Sequence, residues 1–102
     1  MDKIPTLNWA VAEVIYTLRE KAGLHQDQLA GLAGLSRNYL SDMERGRQAG
    51  SLTAMAHIAT ALQMDLAQLV GEIEHVWRND PKPPERKPGN PGKKSKEKKA
   101  KS

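Results

Sequence analysis

Between residues 36 and 47 the sequence reads SRNYLSDMERGR, and its polar side chains are of the kinds that hydrogen-bond to nucleic acid. Arginine can pair bidentately with guanine, and asparagine with adenine, along the major-groove edge of a base pair. Ser36 is a good N-cap, so Arg37 and Asn38 would project from the first turn of a helix spanning about 36–45. Ser41 and Asp42 follow one turn later on the same polar side, where they would reach bases or orient Arg37. An aspartate facing DNA is costly unless it accepts from cytosine N4 or pairs with an arginine. Ser36, Arg37, Asn38, Ser41 and Asp42 thus form a candidate base-reading set. The plainer alternatives are a solvated surface charge for Asp42 and an ordinary surface cation for Arg37.

Phosphate contacts would come from the edges of the same region. Arg45 and Arg47 flank Gly46 directly after that helix and are candidate clamps on a phosphate backbone. Gln26 opens the preceding helix, where free amide hydrogens and the helix dipole favour an anion. Tyr39 either donates its hydroxyl to a phosphate or packs over a neighbouring helix. His25 stands where a stronger cap would be expected; it is a surface histidine or faces phosphate.

These residues need elements to hold them. From residue 7 to 77 apolar positions recur at three- and four-residue spacing, with no strand-like alternation. Val11, Ile15, Leu18 and Ala22 line a first helix, which Gly23 would end. Leu29, Ala30 and Ala33 line a short second helix with Gly34 beyond it, a residue free to take positive φ. Leu35, Leu40 and Met43 would anchor the third helix on the core, and Gly46 would close it. Ser51 caps a fourth helix with Leu52, Met55, Ala59 and Leu62 on one stripe. Asp65 and Gln68 form a capping-box pattern for a fifth, with Gly71 a weak point in its middle. Two short helices meeting at a glycine turn, with Ala30 small at their crossing, fit the spacing of a helix-turn-helix.

On these residues the chain resembles the Xre/Cro-type regulators of the lambda-repressor-like family. The resemblance runs from about Val14 to Val70, through LREKAGLHQDQLA, GLSRNYLSDMERGR and SLTAMAHIATALQMDLAQLV. The middle segment is also similar to restriction-modification controller proteins. What the resemblance implies is an all-α, five-helix domain, usually dimeric, that places its third helix in the major groove of a roughly palindromic operator. It also implies a DNA-backbone role for Gln26, and a buried ion pair between Arg19 and Glu44 joining the first and third helices. Glu44 falls on the inner side next to Met43, where a lone carboxylate would be expensive.

Composition sets the remaining bounds. The net charge of +4 is unevenly spread: residues 1–77 carry six Lys/Arg against nine Asp/Glu, and residues 78–102 carry ten against three. Five of the six prolines also lie after Trp77. Residues 1–77 therefore read as one DNA-binding domain and residues 78–102 as a disordered Lys/Pro-rich tail, whose lysines either keep the protein soluble or add salt-sensitive phosphate attraction. There are no cysteines. The apolar runs are too short to span a bilayer, and MDKIPTLNWA lacks a signal-peptide core, so a cytoplasmic protein is expected. His25, His57 and His75 lack metal-ligand spacing, His57 reads as a partly buried polar residue, and GLAGL lacks the lysine of a phosphate loop. Neither an enzyme, a cofactor nor a metal site is expected.

Helix 5 is richer in apolar residues than a monomer's last helix requires. Leu66, Leu69, Ile73, Val76 and Trp77 would form the interface of a homodimer, joined by Trp9 and the segment from Ile4, or else close the chain's own core. The functional expectation is a sequence-specific transcriptional regulator, a repressor, an activator or both. An antitoxin that also binds a protein toxin, and a protein-interaction module with the same fold, are the competing classes.

Overall fold

The computed structural model describes residues 3–84, with side chains from Thr6 onward. Five α-helices follow in order: α1 (Lys3–Lys21), α2 (Gln26–Ala33), α3 (Arg37–Glu44), α4 (Leu52–Ala61) and α5 (Leu66–Arg78). The described residues contain no strand. The expectation of a disordered tail falls mostly on residues 85–102, outside the described residues.

Local chemistry explains the helix ends. Ser36 Oγ accepts from the Tyr39 amide and Ser51 Oγ from the Ala54 amide, each at 3.0 Å. At α2 and α5 the helix's own third residue supplies the contact: Gln28 Oε1 accepts from the His25 amide and Gln68 Oε1 from the Asp65 amide, each at 2.8 Å. This half of a capping box offsets the weak cap offered by His25. Gly34, at φ +70°, ends α2 in the left-handed conformation, and the Leu35 amide donates back to Ala30 O.

The core is one cluster. Val11, Val14 and Ile15 from α1 meet Leu29, Ala30 and Ala33 of α2, Leu40 and Met43 of α3, Met55, Ile58 and Ala59 of α4, and Leu69 and Ile73 of α5. Helix α5 packs along α1, and α3 is held between α1 and α2. Burying these side chains stabilises the domain by about 1.5–3 kcal/mol for each large aliphatic one.

Several expectations need correction. Leu52 points outward at 68% exposure, and Ala54 and Ile58 take the inner positions of α4 beside Met55 and Ala59. Ala22 lies beyond the last turn of α1 and is exposed, as is His57 on α4. Helix α5 passes through Gly71 without a break.

The proposed dimer residues turn inward. Leu69 and Ile73 are buried in the chain's own core, and Leu66, Val76 and Trp77 pack against it. Trp77 Nε1 donates to Thr6 Oγ1 at 3.2 Å, tying α5 to the first turns of α1. In this chain the stripe packs on α1. Trp9 is half-buried beside Gly46.

Candidate nucleic-acid interface

Helix α3 is seated from beneath and open above. Leu40, Met43 and Glu44 are all 0% exposed, whereas Ser36 and Asn38 are exposed and Arg37 half-buried. No hydrogen bond or ion pair of Arg37 or Asn38 with the described residues holds their side-chain heads. Ser36 Oγ is engaged as the cap, though its own hydroxyl hydrogen remains to donate.

Two members of the expected reading set stand differently. Ser41 is 3% exposed, and its Oγ has no hydrogen-bond partner among the described residues. Its short side chain lies at the inner margin of α3. Asp42 does not orient Arg37. Its Oδ1 lies 4.0 Å from Arg45 Nη1 and 3.8 Å from Arg47 Nη1. The carboxylate therefore sits between the two candidate clamps and partly offsets their charge. Pairs this long and this exposed contribute little to stability.

The candidate phosphate set falls on the flanks of α3. The Tyr39 hydroxyl oxygen accepts from the Ser51 amide at 2.9 Å, and its ring lies against the core. The phenolic hydrogen stays free to donate. Gln26 Nε2 donates to Glu44 Oε1 at 3.0 Å, so its side-chain amide is held while its backbone N–H belongs to the open first turn of α2.

Gln26 is thereby joined to the ion pair beneath it. Arg19 Nε donates to Glu44 Oε2 at 2.7 Å and Arg19 Nη2 to Glu44 Oε1 at 3.0 Å. Arg19 Nη1 donates to Leu24 O at 2.7 Å, and the Tyr16 ring lies 5.3 Å away. Burial alone would depress the guanidinium, but hydrogen bonding to Glu44 and its charge outweigh that and hold Arg19 above its ordinary value. One buried bidentate pair therefore fixes α1, α3 and the entry to α2 in a single register. Sequence spacing gave no sign of the Leu24 or Gln26 contacts. These partners are chosen by the packing of α1 across the α2–α3 corner.

The loop after α3 is also close-packed. A Cβ added to Gly46, at φ +76°, would lie 3.0 Å from Pro84 Cγ and 3.1 Å from Trp9 Cδ1. One added to Gly50, at φ +84°, would lie 2.7 Å from Met43 Cε. Both glycines let the chain press close to its neighbours beside Arg45 and Arg47.

A family model described as a helix-turn-helix domain matches residues 10–70. The chain belongs to that family. Its helix-turn-helix is α2, the Gly34 turn and α3. Over 62 residues it is 42% identical to the immunity repressor protein of Bacillus phage phi105, a match spanning 61% of this chain and 43% of that protein. It is 34% identical over 64 residues to the HTH-type transcriptional regulator DdrOP3 of Deinococcus deserti, spanning 63% and 50%. The chain thus matches half or less of the length of these two relatives. The crystal structure of the clp gene regulator ClgR from Corynebacterium glutamicum superposes with a TM-score of 0.66 at 27% identity, over 72% of this chain and 78% of that one. The Xre-type resemblance agrees with these matches.

Among the described residues there is no group of three or more metal-ligating side chains, and no helix is long and apolar enough to cross a membrane.

Proposed function

We propose that this helix-turn-helix protein is a sequence-specific, double-stranded-DNA-binding transcriptional regulator that enters the major groove with the N-terminal turn of α3. One observation supports this most strongly. Arg37 and Asn38 have unengaged heads at the outer end of a helix whose inner face is immobilised by Leu40, Met43 and the Glu44 ion pair. A reading helix must hold its donors within hydrogen-bond tolerance of base edges, and a rigid seat does that. Arg37 is assigned to guanine and Asn38 to adenine, with Ser36 donating nearby.

Arg45, Arg47, the Tyr39 hydroxyl and the first turn of α2 at Gln26 supply the phosphate contacts. The repressor and regulator names of the relatives favour transcriptional control as the outcome. The protein acts in the cytoplasm as a homodimer on a roughly palindromic operator, its two reading helices about 34 Å apart. No enzymatic step enters this reading.

Selection of bound duplexes from a random pool, followed by mobility shift on the winning site, tests the proposal. Enrichment of one short, roughly two-fold sequence is the expected result. Recovery of unenriched DNA, or of none, would reject it.

A further inference from the structure

The two candidate phosphate clamps, Arg45 and Arg47, turn on the one residue between them. Gly46 has a φ of +76°, and its amide donates to Met43 O at 3.1 Å as α3 ends. Glycine has the widest backbone freedom of any residue, so this hinge sets where both cations point unless something holds it. The amides of Arg45 and Arg47 donate to Ser41 O and Asp42 O, each at 2.9 Å, which ties the loop to α3. The guanidinium groups themselves are loosely held, with the Asp42 carboxylate at 4.0 and 3.8 Å.

A second hold on Gly46 comes from beyond α5. After Arg78 the chain reverses: Asn79 Nδ2 donates to His75 O at 2.7 Å, and Asp80 takes a left-handed φ of +52°. Pro81 and Lys82 then border a cleft with Glu13 of α1 and Val76 of α5. Glu13 and Trp9 lie one turn apart on the same face of α1. At the Trp9 end, half-buried Pro84 and Trp9 close on Gly46: a Cβ on that glycine would stand 3.0 Å from Pro84 Cγ and 3.1 Å from Trp9 Cδ1. Residues 79–84 are thus a strap laid along α1. Pro81, Pro83 and Pro84 have φ fixed by their rings, so ordering this strap costs less entropy than ordering an ordinary segment.

We propose that the strap positions the phosphate clamp: Pro84, seated with Trp9 on Gly46, holds the loop after α3 so that Arg45 and Arg47 meet the DNA backbone together. This rests on the DNA-binding reading above. Pro84 is a positioning residue that acts through the two arginines. A loop ordered beforehand loses less freedom on binding, and the affinity rises accordingly. Arg37 and Asn38 stand on a separate seat of Leu40, Met43 and Glu44. The strap therefore affects affinity for every duplex and not the choice among them.

The test is a double-mutant cycle on the full chain. Pro84→Gly is combined with Arg45→Ala plus Arg47→Ala. Binding to the selected operator and to an unrelated duplex is measured at a salt low enough for the clampless chain to bind. In the parent background Pro84→Gly should weaken both duplexes about three- to tenfold, the scale of ordering one or two long side chains, with the preference between them unchanged. In the clampless background it should cost less than about twofold. Pro84→Val, which returns apolar bulk to the seat, should recover most of the loss. Urea unfolding establishes that each variant is folded, and Pro84→Ser takes the place of Pro84→Gly if the glycine variant does not fold. Equal losses in the two backgrounds would overturn the proposal, because Pro84 would then act on the domain at large. Unchanged affinity in the parent background would overturn it too, and either result leaves the operator reading intact. Failure of the unaltered chain to bind any duplex would overturn the two together.

Discussion

Replacing Arg19 by Met should destabilise the domain severely, and the structure gives the scale. Glu44 is 0% exposed. Its contacts include the Arg19 hydrogen bonds at 2.7 and 3.0 Å. Without Arg19 the buried carboxylate keeps the Gln26 amide but loses its counter-charge, and Leu24 O loses a charged donor. Breaking a buried pair from one side costs about 3–5 kcal/mol, a large share of a total stability of about 5–15 kcal/mol. With a urea m-value of about 1–1.5 kcal/mol/M, the unfolding midpoint should fall by about 2 M or more. The double change Arg19→Met with Glu44→Leu removes both charges together and should return most of that loss. A guanidinium held above its ordinary value contributes stability that disappears only in strong alkali. The Arg19 side of the effect should therefore be the same at pH 6 and pH 8. Equal midpoints for the parent and Arg19→Met would refute the buried-pair argument. So would a double variant no better than the single one, since the cost would then not come from the stranded carboxylate.

Other changes separate seat from surface. Asp42→Asn removes the carboxylate that lies between Arg45 and Arg47, and should strengthen binding to all duplexes a fewfold in a low-salt mobility shift. Arg47→Ala should weaken all sequences alike and reduce the salt slope by about one unit. Ser36→Ala removes the cap of α3 and should cost about 1 kcal/mol in thermal or urea unfolding. Gly71→Ala, in exposed helix with nothing within 4 Å of the new Cβ, should stabilise by about 0.5–1 kcal/mol. Gly50→Ala meets Met43 Cε at 2.7 Å with φ +84°, so it should destabilise and by more than the about 1–2 kcal/mol of the left-handed strain alone.

Much of the fold was legible because helix signals are local. Ser36 and Ser51 cap through contacts three residues away, and Gly34 ends α2 through its own backbone freedom. The inward Leu40 and Met43 follow from helical spacing. The Arg19–Glu44 pair was expected from family resemblance together with the inner position of Glu44.

What failed was non-local. An apolar stripe such as Leu66, Leu69, Ile73, Val76 and Trp77 states that something must cover it, not whether the cover is α1 or another subunit. In this chain α1 covers it. Ser41 is on the polar side by type, one turn after Arg37, yet its short side chain is 3% exposed where α3 packs on its neighbours. The partners of Asp42 depend on how the loop after α3 curls back, which no periodicity records. The seat of Pro84 on Gly46 joins residues 38 apart in sequence, through a reversal at Asp80 that a Pro- and Lys-rich composition conceals.

The central claim is that the first turn of α3 reads base edges. The most direct measurement is the affinity of Arg37→Ala for the selected operator and for the same site altered one base pair at a time. Discrimination should vanish at one position, at a cost of about 1–3 kcal/mol, and persist at the rest. Uniform weakening across every site, as expected for a phosphate contact, or no change at all, would contradict it.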